Sequence, residues 1–252
     1  MNINLKSQRI LVTGASRGIG KGIAEQLSAS GAELLLHFNN NLDAAKELQE
    51  SLTNPSHLVQ CDLSNLEAVK GLIPKLIATY GKIDAIVNNA GIAISVPDNA
   101  PTDDWTYIWL KTMDVNINAL AIITKEFIEH ARENKNGRII NISSRAAFRG
   151  DTPDYLAYAA SKAAIVSYTR SLARYYGKEG IKAFILAPGF TRTDMAQDFM
   201  DQYGEEYALN DIALNELTEP KDIAPMVTLL CSGLADHATG CTIDINAGSY
   251  VH

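Results

Sequence analysis

The chain has 252 residues, of which 46% are hydrophobic and 20% charged, and its formal net charge at pH 7 is −7. This composition is typical of a folded globular protein, and the acidic balance argues against a nucleic acid partner, because phosphate binding needs clustered Lys and Arg. No apolar run approaches the ~18–20 residues that cross a bilayer, and the N-terminus lacks a signal-peptide pattern. We therefore predict a cytoplasmic protein with no membrane contact.

Short apolar runs alternate with helical stretches along the whole chain. The predicted strands are residues 9–12, 33–38, 57–61, 83–87, 137–142, 181–186 and 242–245. Between the early strands, helices are predicted over residues 19–30, 44–48 and 66–80. Strands that are apolar along their whole length and separated by helices indicate a parallel sheet covered on both faces. Right-handed crossovers then predict an α/β fold with a doubly wound parallel sheet, the Rossmann fold. The absence of a linker or repeat predicts a single domain, residues 1–252.

The first predicted strand is followed by a glycine-rich turn that opens the first predicted helix. The turn has the sequence Thr13-Gly14-Ala15-Ser16-Arg17-Gly18-Ile19-Gly20. Glycines permit a tight turn and a close approach of the backbone to a pyrophosphate, and the N-terminus of a helix favours an anion. The strand, turn and helix together predict a nucleotide-binding site.

Three cysteines, Cys61, Cys231 and Cys241, are scattered along the chain and form no CxxC pair. The five histidines do not join them at the spacing of zinc ligands. The sequence therefore predicts buried free thiols and no metal site.

The glycine spacing resembles the TGxxxGxG turn of the short-chain dehydrogenase/reductase family, and further motifs of that family follow in order. They are Asp62-Leu63, Asn88-Asn89-Ala90-Gly91, Asn116, Ser143-Ser144, Tyr158-Ala159-Ala160-Ser161-Lys162 and Pro188-Gly189. With its end at Gly248, the resemblance covers nearly the whole chain. It implies an enzyme that transfers a hydride between a nicotinamide cofactor and a carbonyl or alcohol substrate.

The same resemblance implies a catalytic tetrad of Asn116, Ser144, Tyr158 and Lys162. Tyr158 and Lys162 are four residues apart, so on a helix they share one face. We expect the ammonium of Lys162, together with an oxidised nicotinamide ring, to lower the phenol pKa of Tyr158 from its usual value of about 10. Ser144 would bind the substrate oxygen, and Asn116 would position a water that relays protons to Lys162.

Two choices within this tetrad depend on position. Ser143 and Ser144 are adjacent and point to opposite faces if they lie on a strand, and members of the family usually use the second. Tyr155 is not the catalytic tyrosine, because position 159 is Ala and no lysine follows it by one turn.

The end of the second predicted strand bears on the choice of cofactor. A carboxylate there would bind the adenine ribose and repel a 2′-phosphate, but the residues are Phe38, Asn39 and Asn40. Similar family members bind the 2′-phosphate with a basic residue in the glycine turn, which is Arg17 here. NADP(H) is therefore favoured over NAD(H), although Asn39 stands where the family often has a second arginine.

The remaining cofactor contacts are implied by the resemblance alone. Asp62 and Leu63 would flank the adenine, and the segment after the sixth strand would close over the nicotinamide amide and pyrophosphate. The complete predicted set of cofactor-binding residues is Gly14, Ser16, Arg17, Gly18, Ile19, Gly20, Phe38, Asn39, Asn40, Asp62, Leu63, Asn89, Ala90, Gly91, Tyr158, Lys162, Pro188, Gly189, Thr191 and Thr193.

The substrate stays open between two classes. The general resemblance is to 3-oxoacyl-acyl-carrier-protein reductases, whose acidic carrier docks on basic residues. Candidates for that docking are Arg132, Lys135, Arg138, Arg170, Arg174 and Lys178, whereas Glu179 stands where those reductases tend to carry a base. A small-molecule ketone, sugar or quinone is the alternative, and the extra residues between Trp105 and Trp109 would shape specificity.

Further expectations concern a late segment of the chain, its assembly and the competing classes of protein. The irregular, acidic segment 191–218 is predicted to cross the carboxyl edge of the sheet as a substrate lid. The resemblance implies a homotetramer or homodimer with the helices around Asn116 and Tyr158 between subunits. A non-catalytic nucleotide sensor and an S-adenosylmethionine methyltransferase are the competing classes; the intact tetrad disfavours the first, and the second leaves Tyr158 and Lys162 unexplained.

Overall fold

The computed structural model describes residues 3–193 and 205–251, which form a seven-stranded sheet with helices on both faces. The strands are β1 (Arg9–Val12), β2 (Glu33–Phe38), β3 (Ser56–Gln60), β4 (Ala85–Asn88), β5 (Gly137–Ile142), β6 (Ile181–Pro188) and β7 (Thr242–Ile245). Their order is β3-β2-β1-β4-β5-β6-β7, and every neighbouring pair is parallel. The predicted doubly wound sheet is confirmed, and each predicted strand is found with its ends shifted by two residues at most.

The helices connect successive strands and cover the sheet. In the described residues they are α1 (Gly18–Ala29), α2 (Leu42–Ser51), α3 (Leu66–Val69), α4 (Leu72–Tyr80), α5 (Thr102–Met113), α6 (Ala119–Asn134), α7 (Ala146–Arg149), α8 (Leu156–Tyr176), α9 (Glu205–Asn210) and α10 (Pro220–Ser232). A π-helical turn, Asp114–Asn118, joins α5 to α6.

The core consists of two apolar layers on opposite faces of the sheet. One layer packs α1 and α10 against β1, β2 and β6, with Ile23, Leu27 and Val227 fully buried. The other packs α4, α6 and α8 against the opposite face, and Phe127 is its largest fully buried side chain. Because both faces are covered, all six residues of β5 are buried, which explains why the strands are apolar without alternation.

One predicted helix is divided in the structure. Residues 66–80 form α3 and α4, separated at Gly71, whose φ of 80° is left-handed. A left-handed glycine ends the first helix, and the Glu126 carboxylate accepts hydrogen bonds from the backbone N–H groups of Gly71 (2.6 Å) and Ile73 (3.2 Å). The apolar periodicity alone predicted a continuous helix, because it contains no information about a cap supplied by a residue far away in the chain.

The segment 191–218 is only partly within the described residues, since 194–204 lie outside them. Its two ends are joined by a parallel bridge between Thr191 and Thr218, and the backbone N–H of Arg192 donates to the Thr218 carbonyl at 2.9 Å. The role of this segment as a substrate lid stays a prediction.

The described residues contain no group of three His, Cys, Asp or Glu side chains that would hold a metal ion. All three cysteines are free. None of the helices in the described ranges is long and apolar enough to cross a membrane. The cytoplasmic location stays a prediction.

Candidate active site

The predicted site residues gather at the carboxyl edge of the sheet. The glycine turn follows β1, the Asn89–Gly91 segment follows β4, and Ser144 follows β5. The strand order reverses between β1 and β4, and in an open parallel sheet this switch point is where ligands bind.

The glycine turn has a shape that only glycine permits at several positions. Gly14 and Gly18 have left-handed φ angles of 64° and 53°. A Cβ added at Gly20 would lie 2.1 Å from the Gly14 carbonyl oxygen, which is far inside van der Waals contact. The first helix then starts at Gly18 without a side-chain cap from Arg17. The compact turn from Gly14 to Gly20 and the N-terminus of α1, which has no side-chain cap, form a backbone cradle. This cradle fits the pyrophosphate of a dinucleotide.

Thr13 and Asn89 hold this turn against the segment that follows β4. The Thr13 hydroxyl accepts hydrogen bonds from the backbone N–H groups of Asn89 and Ala90, each at 3.0 Å. The Asn89 amide in turn donates to the carbonyls of Thr13 (2.9 Å) and Gly14 (3.2 Å). Two of the predicted cofactor segments are therefore one rigid unit, and Thr13 is a site residue that sequence reasoning did not single out.

A second brace, also not singled out from the sequence, is the buried His37 at the end of β2. Its Nδ1 accepts from the Gly14 backbone N–H at 3.1 Å, so its Nε2 carries the proton and donates to the Cys61 carbonyl at 3.0 Å. Burial lowers the pKa of His37 to about 4. The neutral imidazole thus joins the ends of β1, β2 and β3 beneath the glycine turn.

The depressed pKa of His37 predicts a loss of stability in mild acid. Below pH 6.5, the usual pKa of histidine, His37 is protonated in the unfolded chain but stays neutral in the folded chain. The free energy of unfolding therefore falls as the pH drops from 6.5 to about 4. We expect this residue to account for about 3 kcal/mol over that range. Denaturant unfolding at several pH values should show a shallower pH dependence for His37→Gln than for the wild type. The exposed His237 provides the control, His237→Gln, which should keep the wild-type dependence; identical slopes for all three proteins would contradict the assignment.

The residues predicted to bind the adenine side of the cofactor differ in their exposure to solvent. Arg17, Asn39 and Asn40 are exposed at the turn and at the end of β2. The side chains of Phe38 and Leu63 are instead buried, at 3% and 6% exposure, so neither is presented to a ligand. The adenine contact that the resemblance implies for Leu63, and the cofactor contact expected of Phe38, would have to come from their backbone atoms and stay predictions.

The segment after β6 reaches back to the glycine turn. A Cβ at Gly18 would lie 3.3 Å from Thr193 Cγ2, so these two residues are in near contact. The Thr193 hydroxyl donates to the Thr191 carbonyl at 3.3 Å, and the Thr191 hydroxyl donates to the Gly189 carbonyl at 3.1 Å. Pro188 is the last residue of β6, and the segment that follows it runs to Thr193 beside the glycine turn.

Tyr158 and Lys162 lie one turn apart on α8, as their spacing predicts. Lys162 is buried, and its ammonium donates to the Ile142 carbonyl at 3.0 Å and lies 5.6 Å from the centre of the Tyr158 ring. Burial lowers the pKa of Lys162 to about 8. The lysine is therefore still largely protonated at neutral pH, with one donor already engaged.

The two serines follow β5 rather than lying on it, and they have separate tasks. The Ser143 hydroxyl donates to the Lys162 carbonyl at 2.8 Å and so anchors α8. Ser144 Oγ accepts from the Ala146 backbone N–H at 3.1 Å and hydrogen-bonds the Tyr158 hydroxyl. Ser144, not Ser143, is thus the serine next to the phenol.

The surroundings of Tyr158 within the protein shift its pKa upward, whereas the expected lowering includes the charge of an oxidised nicotinamide ring and stays a prediction. The pKa is raised above its usual value chiefly by burial, with the charge of Asp151 adding to the rise. The Ser144 hydrogen bond and the charge of Arg145 lower it by less. Desolvation outweighs these contacts, so the protein by itself keeps the phenol protonated, which is the state of a proton donor.

Asn116 lies in the π-helical turn, not in a regular helix. Its Oδ1 accepts from the Ile92 backbone N–H at 2.8 Å, and its Nδ2 donates to the Ile92 carbonyl (2.9 Å) and to Ser161 Oγ (3.0 Å). A Cβ at Gly91 would lie 3.3 Å from both Asn116 Oδ1 and Lys162 Nζ. Glycine at position 91 thus preserves the narrow space between the two predicted relay groups.

The basic residues considered for carrier docking divide into two groups. Arg132 is paired with Glu179 at 2.5 Å, and the buried Arg138 makes two 3.0 Å bonds to Asp236. These two guanidinium groups are therefore already neutralised. The other four, all exposed, are Lys135, Arg170, Arg174 and Lys178.

The parallel sheet, the glycine cradle at its switch point and the serine, tyrosine and lysine at one edge define a nicotinamide-dependent oxidoreductase. A family model described as enoyl-(acyl-carrier-protein) reductase matches residues 14–250. The chain belongs to the short-chain dehydrogenase/reductase family and is an NAD(P)-dependent oxidoreductase.

Individual relatives are similar over their full length. A 3-oxoacyl-(acyl-carrier-protein) reductase from Vibrio cholerae is 31% identical over 249 residues, covering 99% of this chain and 100% of the relative. A short-chain dehydrogenase from Burkholderia cenocepacia, solved with NADP, has a TM-score of 0.88 and 30% identity and covers 98% of this chain and 99% of its own. A Beutenbergia cavernae protein, solved with NADP at low occupancy, has a TM-score of 0.91 and 28% identity, with 99% of both chains covered.

Proposed function

We propose that this protein reduces a carbonyl group with NADPH and that Tyr158 donates the proton to the carbonyl oxygen. The observation that carries the proposal is the pairing of the Ser144 and Tyr158 hydroxyls beside the buried Lys162 at the carboxyl edge of the sheet. When bound, the nicotinamide cofactor supplies the hydride that adds to the carbonyl carbon.

The residues of the chain divide the remaining work. Ser144 Oγ accepts from the backbone, so its own proton is available to a substrate oxygen. Tyr158 gives its phenol proton to the oxygen that becomes an alcohol, and the phenolate left behind lies beside the ammonium of Lys162. Asn116 and Lys162 face each other across the space at Gly91, which supports their role in returning a proton to Tyr158.

NADP(H) is the cofactor that the local chemistry favours. The end of β2 carries Asn39 and Asn40 and no carboxylate that would repel a 2′-phosphate, and Arg17 is exposed in the turn. The Burkholderia and Beutenbergia proteins were both solved with NADP, which supports the same assignment.

Replacement of Arg17 tests this assignment. A charge-assisted contact to the 2′-phosphate is worth about 1.5–3 kcal/mol, so Arg17→Ala should weaken NADPH binding about tenfold to hundredfold and leave NADH binding nearly unchanged. Titrations that follow nicotinamide fluorescence measure both affinities. Lys70→Gln, at an exposed lysine paired with Glu67, is the control for loss of one positive charge. NADH binding as tight as that of NADPH in the wild type would contradict the assignment.

For the substrate, we propose a small carbonyl compound, with an acyl-carrier thioester as the second candidate. The Vibrio relative acts by name on a 3-oxoacyl-carrier protein, which favours the second. The neutralised Arg132 and Arg138 reduce the basic surface that an acidic carrier would need, which favours the first. Rates of NADPH oxidation with a 3-oxoacyl carrier, with the same acyl group on N-acetylcysteamine and with small ketones separate the two. A strong preference for the carrier-bound form would select the second candidate.

We also propose that the protein is a homodimer or homotetramer associated through α5, α6 and α8. Large apolar side chains are exposed on α5 and α8, among them Tyr107 at 62% and Tyr175 at 71%. A groove between α6 and α8 is lined by further apolar residues, Ile122, Ile128 and Leu172. Such surfaces are typical of contacts between subunits.

A further inference from the structure

Two arginines next to the catalytic serine share one carboxylate. Arg145 directly follows Ser144, and Arg149 ends the short helix α7. Their Nη1 atoms donate to the same oxygen, Asp211 Oδ2, at 2.6 and 2.7 Å. The side chain of Arg145 is 14% exposed, whereas those of Arg149 and Asp211 are 36% and 34% exposed. The trio therefore extends from the interior of the site to its surface.

The two arginines repel each other, and the carboxylates beside them offset that repulsion. Arg145 and Arg149 carry like charges four residues apart, and burial together with the charge of Arg149 lowers the pKa of Arg145. A guanidinium has five N–H donors in a planar fork that matches a carboxylate, yet here two such groups meet on one oxygen atom. Within residues 3–193 and 205–251, these two Nη1 contacts leave further N–H donors of the pair for an anion with two free oxygens.

The trio is close to the reacting groups. The Arg145 backbone N–H donates to the carbonyl of Pro188, at the end of β6, at 3.0 Å. The charge of Arg145 reaches the Tyr158 hydroxyl and lowers its pKa. A ligand group held by Arg145 would thus lie in the same cleft as a carbonyl held by Ser144.

Asp151 is the other carboxylate that faces this pair. Burial raises its pKa, and the charges of Arg145 and Arg149 act in the opposite direction. Two arginines and two aspartates are balanced in charge, so a substrate anion would have to replace one carboxylate rather than join both. Asp211 is the carboxylate that a substrate would replace, because it accepts hydrogen bonds from both guanidinium groups, whereas Asp151 acts on them through its charge.

We infer that Arg145 and Arg149 form a subsite for a substrate carboxylate and that Asp211 occupies this subsite until the substrate displaces it. The inference rests on the proposed function, since it places the carbonyl of the same molecule at Ser144 and Tyr158. The substrate is then a small oxo acid, which carries both a carbonyl group and a carboxylate. Specificity then comes from a bidentate guanidinium contact rather than from a carrier protein.

Binding of matched acids and esters tests the subsite without turnover. Levulinate, 5-oxohexanoate and their methyl esters are titrated by calorimetry into protein saturated with the oxidised cofactor that it prefers. At least one acid should bind about tenfold or more tightly than its ester, and Arg149→Gln should remove that preference. Lys70→Gln should retain it. Equal binding of acids and esters by the wild type would overturn the inference.

Replacement of Asp211 distinguishes a substrate subsite from a purely structural contact between α7 and the segment after α9. If Asp211 competes with the substrate, Asp211→Asn frees both guanidinium groups and tightens acid binding by about threefold to tenfold. If the trio only fastens the segment, the same change loosens the cleft and weakens acid and ester alike. Weaker acid binding by Asp211→Asn would therefore overturn the inference.

Turnover of the same compounds distinguishes this inference from the proposed function. Acids that bind through Arg149 but are not reduced, together with inert esters, would leave the subsite standing and contradict reduction at Tyr158. Esters reduced as well as acids, with binding insensitive to Arg149→Gln, would overturn the subsite and leave the reductase intact.

Discussion

Replacement of Tyr158 by phenylalanine is expected to lower kcat for carbonyl reduction by about 10³-fold, because a positioned general acid contributes about 10²–10⁴-fold. The variant loses only the hydroxyl that Ser144 hydrogen-bonds, and the ring keeps its place above Lys162. NADPH affinity should fall by less than about tenfold, the most that loss of one uncharged hydrogen bond normally causes. Steady-state rates of NADPH oxidation and a fluorescence titration measure the two effects separately.

The control is Tyr80→Phe, which removes the same hydroxyl from a tyrosine at the end of α4, where its ring stacks on His57 outside the candidate site. This variant should keep the wild-type kcat and KM. A Tyr158→Phe enzyme with more than about a tenth of the wild-type kcat would contradict the assignment of Tyr158 as the proton donor.

Replacement of Gly20 by alanine is expected to weaken NADPH binding by about 10²-fold or more. The added Cβ would lie 2.1 Å from the Gly14 carbonyl oxygen and 2.6 Å from Asn89 Nδ2, both parts of the rigid cradle. The turn has to shift, and loss of two charge-assisted contacts to the pyrophosphate, each worth about 1.5–3 kcal/mol, accounts for that loss of affinity. The nicotinamide fluorescence titration reports it directly.

Gly177 offers a matched control for this substitution. It follows α8, its φ is −56°, and a Cβ there would meet no atom within 4 Å. Gly177→Ala should therefore bind NADPH as the wild type does and be slightly more stable, by about 0.5 kcal/mol. If Gly20→Ala bound NADPH normally, the pyrophosphate would not lie on this turn.

Much of the active site was predictable because its residues are close along the chain. Tyr158 and Lys162 are one helical turn apart, and the glycine turn carries its own strand and helix within residues 9–29. Local geometry then determines which groups face together. The choice of Ser144 over Ser143 came from the resemblance, since members of the family usually use the second serine.

The properties of these residues, in contrast, depend on packing. The lowered pKa of Lys162 and the raised pKa of Tyr158 both come from burial, which spacing does not reveal. The sequence predicts that Lys162 and an oxidised nicotinamide ring together lower the pKa of Tyr158, and this lowering would act against the desolvation found in the structure. His37 is another example: the sequence drew attention to the end of β2 because an acid is missing there, not because an imidazole braces Gly14.

The sequence by itself determined the fold class and, through its resemblance to a known family, the family and the expected catalytic motif. It did so because strands buried on both faces are apolar throughout, and because turn and helix motifs are encoded by neighbours in the chain. Only the tertiary structure showed that Arg145 and Arg149 meet Asp211, at separations of 66 and 62 residues, and that Arg132 and Arg138 are already paired. Contacts between distant segments depend on how helices and loops pack around the sheet, and no local pattern records which charge will face which.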